Sequence, residues 1–145
     1  MRTSVAMTRE IIVVLPGVSL KVAARMMKRR HVRHLPVVLD GRLLGILSDR
    51  DVLRHRGSEA PITCGEAMTP APITCSPDTS VGRVAALMLE HKIDSIPVVE
   101  RDALIGLVTS SDLLELLVER DQAQALPFDF RLRLSQSDGA LEAVA

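Results

Sequence analysis

The sequence contains no tryptophan and no tyrosine, and its only aromatic side chains are Phe128 and Phe130. Everything before them must build its core from aliphatic side chains and methionine, and it offers no stacking platform for single-stranded nucleic acid. An excess of either charge is also lacking, because eighteen basic side chains balance eighteen acidic ones. With no overall field to draw the chain to DNA, RNA or an anionic membrane, any anion site has to be local. Cysteine occurs only as Cys64 and Cys75, without the spacing of a metal clip, and both read as reduced thiols. The longest apolar run near the start, Ile11 to Leu15, is too short for a membrane span or a signal-peptide core. The expectation is a cytoplasmic globular protein with neither nucleic acid nor membrane as partner.

What the chain does have is one stretch written twice. Met7-Thr8, Leu35-Pro36-Val37-Val38, Leu43, Gly45, Ser48 and Asp51 recur as Met68-Thr69, Ile96-Pro97-Val98-Val99, Leu104, Gly106, Thr109 and Asp112. Every pair stands at the same offset of 61, without a gap. That register fixes the architecture as two copies of one supersecondary unit. The expected organisation is a first repeat over 1–57, a linker over 58–65 carrying Pro61, a second repeat over 66–120 and a tail over 121–145.

Within a copy the pattern reads strand, helix, strand, strand, helix. Ile11 to Val14 is a β-branched run stopped by Pro16-Gly17, a buried strand followed by a turn. Behind Ser19 as N-cap, Leu20, Ala23, Ala24 and Met27 form an apolar stripe ending in Lys28 to His31, cations suited to a helix C-terminus. Asp40-Gly41 between Pro36–Leu39 and Leu43–Leu47 is a strong hairpin signal, and a short helix should begin near Ser48 to Asp51. The second copy repeats this with Ile73 to Cys75, then Val81, Val84, Ala85 and Met88 behind Asp78, Thr79 or Ser80, then a hairpin. Its turn, Arg101-Asp102, lacks glycine and predicts a longer or looser loop. The closing helix runs on through Leu113, Leu114, Leu116, Leu117 and Val118, more apolar surface than one short helix needs, which points to packing on the other repeat or another chain. Phe128, Phe130, Leu132 and Leu134 alternate with charged residues and predict a strand near 127–134, docked on its own domain or exchanged with a partner. Disorder is expected from 135 to 145.

No nucleophile–base constellation, paired catalytic carboxylates or phosphate loop is visible, so the chain reads as non-enzymatic. His31, His34, His55 and His91 are dispersed and no cysteine cluster completes a tetrahedral set, so no metal is expected. Ser48 with Asp51, and Thr109 with Asp112, have close to the spacing of a helix capping box. Capping alone would account for either pair; their occurrence in register in both copies points to a ligand role, and the two roles can coexist. Gly45 and Gly106 mark close backbone approach or a strand distortion.

This grammar, a Leu/Ile-Pro-Val-Val strand, a turn, Gly-hydrophobic-hydrophobic-Ser/Thr-x-x-Asp and a helix, resembles a tandem pair of CBS (cystathionine-beta-synthase) domains, a Bateman module, over about residues 5 to 120. The Met-Thr opening is similar to that of small bacterial regulatory pairs, including the acetoin-utilisation type. The resemblance implies an α+β fold whose repeats pack through their sheets with pseudo-twofold symmetry. It also implies two clefts for adenosine-containing ligands: AMP, ADP or ATP, and in some members S-adenosylmethionine. Carried over residue by residue, Ser48 and Thr109 hold the hydroxyl position that touches phosphate or ribose, and Asp51 and Asp112 the carboxylate that accepts from both ribose hydroxyls. Ile12 with Val13, and Ile73 with Thr74, lie beside the adenine, and Leu35 and Ile96 line it. A carboxylate accepts only, and so suits a ribose diol, while a helix N-terminus favours phosphate.

The two sites should differ. The first copy has Arg33-His34 before Leu35, and Arg50 between Ser48 and Asp51, where the second has Asp94-Ser95 and Ser111. In the gamma subunits of AMP-activated protein kinase, which carry such modules, the pair before Leu-Pro is often basic and reaches phosphates. The expectation is a phosphate-preferring pocket of Ser48, Arg50, Asp51, Arg33 and His34, and a weaker one around Thr109 and Asp112. Arg33 stays open to either, because family clefts take groups from the opposite repeat. The implied function is a non-catalytic, cofactor-free regulatory sensor of adenine nucleotides, assembled as a homodimer and acting on an unidentified protein target. Its rivals are a constitutive dimeric scaffold with weak or empty pockets, and a sensor of S-adenosylmethionine.

Overall fold

In a computed structural model that describes residues 1–123, 131–134 and 141–144, the chain opens with a one-turn helix, α1 (Thr3–Ala6). The run Ile11 to Val14, expected as a strand, is extended but pairs only at Val14, in a parallel bridge to Val37. Ser19 then caps α2 (Leu20–Arg30) by accepting a hydrogen bond from the Val22 amide, and Leu20, Ala23 and Met27 turn inward. The strands β1 (His34–Leu39) and β2 (Arg42–Ser48) form the expected antiparallel hairpin, followed by α3 (Asp49–Arg54). After the linker come α4 (Cys64–Ala67) and the two-residue β3 (Thr69–Pro70). The grammar then repeats: Cys75 bridges Val98, Ser80 caps α5 (Val81–His91), β4 (Ser95–Glu100) pairs with β5 (Ala103–Thr109), and α6 (Ser110–Ala123) follows. Among the described residues no helix is long and apolar enough to cross a membrane.

The sequence repeat is not the packing unit. Residues 63–70, the end of the expected linker and the start of the second copy, complete the first core: Cys64, Ala67 and Met68 pack with Leu20, Leu35 and Leu47, and β3 adds to β2 through Gly45–Pro70 and Ile46–Thr69. Cys64 and Gly65, expected in the linker, therefore belong to a packed segment. Conversely, residues 2–8 complete the second core, where Met7 packs with Val84, Ile96 and Val108. The Thr3 amide donates to the Thr79 carbonyl at 2.8 Å, and Thr8 and Leu107 exchange backbone hydrogen bonds at 2.8 and 3.0 Å. Each core is built from aliphatic side chains with methionine and cysteine, with Leu35, Val37, Leu47, Val84, Ile96, Val98 and Val108 fully buried, contributions of about 1.5–3 kcal/mol apiece. Cys64 and Cys75 are free and buried, and burial pushes both thiols above their ordinary pKa.

The two glycines that precede the capping residues are where the exchanged segments cross. A Cβ on Gly45 would stand 2.7 Å from the Thr69 carbonyl oxygen and collide with Met68, and one on Gly106 would stand 2.7 Å from the Met7 sulfur. No side chain larger than hydrogen fits at Gly45 without moving backbone.

The second hairpin departs from expectation. Arg101 and Asp102 do not make a loose loop; they adopt φ of 48° and 64°, the same two-residue turn that Asp40 and Gly41 make with φ of 51° and 77°. Both hairpins share one register, with Leu39–Arg42 and Glu100–Ala103 as closing pairs and a shift at Val37/Val38 or Val98/Val99. Strand twist selects the turn, and the arginine is held in the left-handed region at a cost of roughly 1–2 kcal/mol.

The chain divides into two compact units, Met1–Leu113, just described, and Leu114–Ala145. The second holds the rest of α6 and a hairpin of β6 (Arg131–Leu134) with β7 (Leu141–Val144), paired from Arg131–Val144 to Leu134–Leu141. The predicted strand is found from Arg131 onward; Phe128 and Phe130 lie outside the described residues. Disorder does not hold for Leu141–Val144, whose backbone finds partners in β6.

Two outcomes test this packing. Gly45→Ala should lower stability by about 1–3 kcal/mol in urea unfolding, and more than Gly106→Ala, where the obstacle is a flexible methionine side chain. The double change Arg101→Asn with Asp102→Gly should raise stability by about 1 kcal/mol, read as a higher urea midpoint at unchanged slope.

Candidate functional site

Ser48 closes β2 with extended backbone, and its hydroxyl accepts from the Asp51 amide at 3.3 Å. Asp51 reciprocates through Oδ2, which accepts from the Ser48 amide at 2.8 Å and the Ser48 hydroxyl at 2.9 Å. The same box recurs where β5 meets α6: Asp112 Oδ2 accepts from the Thr109 amide at 2.7 Å and hydroxyl at 3.0 Å, and the Asp112 amide donates to Thr109 Oγ1 at 3.3 Å. Capping is therefore real in both copies, and it consumes one carboxylate oxygen. Asp51 Oδ1 is left with a single long hydrogen bond, 3.3 Å, from Arg54 Nη1. Among the described residues nothing bonds Asp112 Oδ1.

Each box lines a cleft, and each cleft draws on both repeats. The first, about 380 Å³, brings Ser48, Arg50, Asp51 and Arg54 together with Ile73, His91, Lys92 and Asp94. The second, about 260 Å³, brings Thr109, Ser111 and Asp112 together with Glu10, Ile12, His31, Val32 and Arg33. The lining positions correspond at the same offset of 61 with the repeats interchanged, Ile12 matching Ile73, Arg33 matching Asp94 and Arg50 matching Ser111.

Arg33, grouped with Ser48, Arg50 and Asp51 but left open to either pocket, lines the cleft of Thr109 and Asp112 instead. The cause is the pseudo-twofold arrangement, which carries the end of α2 across to the opposite box. His34 belongs to both clefts, and its Nε2–H donates to Asp94 Oδ1 at 2.9 Å. Leu35 and Ile96 line neither cleft; both are fully buried in the cores. Val13 is 41% exposed outside both clefts, and Thr74 sits in a separate shallow groove with Arg42, Leu43 and Asp102. Sequence reasoning missed Arg54, Lys92, His91, His31 and Glu10. His31 and Lys92 could have been found as paired helix ends: both are left-handed C-caps, with φ of 53° and 52°. A larger cavity of about 550 Å³ lies between the start of α2 and the linker, over Leu20, Ala24, Val52 and Ile62, and holds none of the predicted residues.

Chemically, each cleft offers an apolar wall, Ile12 or Ile73, facing the carboxylate of a capping box; Arg50, Arg54 and Lys92 add charge to the first, and Arg33 with the imidazoles of His31 and His34 lines the second. That set suits a flat apolar ring joined to a diol, with an anionic group beyond it.

Comparison with known proteins places this geometry. The sequence profile described as the CBS domain matches residues 3–58 and 64–119. The CBS domain-containing protein YhcV of Bacillus subtilis is 32% identical over 110 residues, covering 74% of this chain and 79% of its own. Inosine-5'-monophosphate dehydrogenase of Korarchaeum cryptofilum is 35% identical over 106 residues, 72% of this chain but only 22% of that enzyme. Among solved structures, the CBS domain pair of protein MJ0100, in complex with 5'-methylthioadenosine and S-adenosyl-L-methionine, superposes with a TM-score of 0.77 at 28% identity over 83% of this chain and 98% of that one. CBSX2 in complex with AMP gives 0.75 at 27% identity, again over 83% and 98%. With both halves matched by the profile, and both clefts rimmed by the same Ser/Thr-x-x-Asp box, the chain belongs to the CBS domain family as a pair of CBS domains.

Proposed function

We propose that this chain is a cytoplasmic regulatory module without catalytic activity of its own, which binds AMP, ADP or ATP in the two clefts and converts occupancy into a change in a protein target. The observation that carries the reading is the division of labour on Asp51 and Asp112: Oδ2 caps the helix, and Oδ1 remains on the cleft rim as acceptor for a ribose diol. Ser48 and Thr109 position that carboxylate, Ile12 and Ile73 supply the wall for the base, and Arg50, Lys92 and Arg33 supply charge for phosphate. A ligand acts on such a module only through unequal affinity for two conformations. The AMP complex of CBSX2 supports a nucleotide; the S-adenosyl-L-methionine complex of MJ0100 supports that sulfonium nucleoside as the second reading.

A homodimer completes the proposal. Leu114, Leu117 and Val118 project from α6 at 62%, 58% and 55% exposure, an apolar face suited to burial against a second copy.

Thermal unfolding of the purified protein against AMP, ADP, ATP and S-adenosylmethionine is the direct test, since a ligand of the folded state raises the midpoint by mass action. A saturable rise with one of them is expected. Asp51→Ala and Asp112→Ala should each weaken binding at their own cleft by about tenfold or more in calorimetry, and each should also lower the unliganded midpoint through loss of the two hydrogen bonds that Oδ2 accepts from the capping residue, worth about 0.5–1.5 kcal/mol apiece. Undiminished affinity in both folded variants would reject the ribose assignment, and no shift with any ligand would leave the constitutive dimeric scaffold.

A further inference from the structure

Arg54 is the one cation that touches the ribose-accepting oxygen, and its pairing is unequal. Asp51 keeps only 8% of its side chain exposed, whereas Arg54 is 72% exposed and reaches Oδ1 over 3.3 Å. The aspartate is fixed from the other side by two hydrogen bonds from Ser48 to Oδ2. The arginine, at the last residue of α3, is fixed by nothing else among the described residues. Such a pair is weak, because the exposed guanidinium is solvated and its side chain loses rotamer freedom to hold the contact. Two ribose hydroxyls arriving at Oδ1 outcompete it, and the released guanidinium remains on a rim it shares with Arg50 and Lys92. There its fork of donors fits a phosphate.

Resting on the nucleotide reading above, we infer that Arg54 is a specificity-determining residue that exchanges partners: it neutralises Asp51 in the empty cleft and moves to the 5'-phosphate when the ribose takes its place. The Ser48–Asp51 cleft thereby selects phosphorylated adenosine over the bare nucleoside. The Thr109–Asp112 cleft lacks the device, since the residue three places after Asp112 is Glu115, which has no donor to offer a carboxylate or a phosphate.

Calorimetric titration of the full chain with adenosine and with AMP reads the exchange as the ratio of the two affinities at the Ser48–Asp51 cleft, identified as the one lost in Asp51→Ala. Arg54→Gln should lower AMP affinity about tenfold while adenosine affinity holds or rises by up to about fivefold, and Arg54→Lys should restore most of the ratio. A ratio unchanged in Arg54→Gln, or a parallel loss of both ligands, would overturn the exchange. Binding of neither ligand to the unaltered chain would overturn the nucleotide reading itself, a result separable from the first because it precedes any substitution.

Discussion

The crossing of residues 2–8 and 63–70 at Gly106 and Gly45 is the constraint from which the rest of the structure follows. Neither core closes without a segment that sequence order assigns to the other copy: Met7 fills the second and Cys64 to Met68 the first. The close approach demands glycine, and the residues just beyond each glycine, Ile46 and Leu107, run into the cleft walls and then into the capping boxes. Packing between repeats and shape of the clefts are thus one problem with one solution. A repeat produced alone would lack both a core segment and half of its cleft.

Capping uses one oxygen of the Asp51 carboxylate, and the proposed ribose contact would use the other. In an isolated helix, Ser48–Asp51 would be a terminus device and no more. Here the box meets an opposing wall from the other repeat, so the oxygen that the helix does not use faces a cleft built from both copies. Rigidity matters as much as charge: Ser48 holds Asp51 through two hydrogen bonds, so the carboxylate has little rotamer freedom left to lose in any further contact.

Local grammar was legible in the sequence, and relations across the pseudo-twofold axis were not. Ser19 and Ser80 as caps, the Asp40-Gly41 hairpin and the paired boxes could be read because each depends on neighbours within a few residues. Arg33 could not be assigned to one pocket because the cleft it shares with Asp112 is formed only through the interchange of repeats. Leu35 and Ile96 failed as cleft residues because hydrophobicity alone does not distinguish a core position from a wall. The Arg101-Asp102 turn failed because the twist of β4 and β5 overrides the turn residue's own preference.

The ends of α2 and α5 carry a consequence for how far this protein can be stabilised. His31 and Lys92 occupy left-handed caps, where glycine would relieve about 1 kcal/mol of backbone strain. Both side chains also line the clefts. Consensus engineering for thermostability would choose glycine at these two positions and would strip a cation or imidazole from each cleft. At residues 31 and 92, a hardier scaffold and an unchanged cleft lining pull in opposite directions.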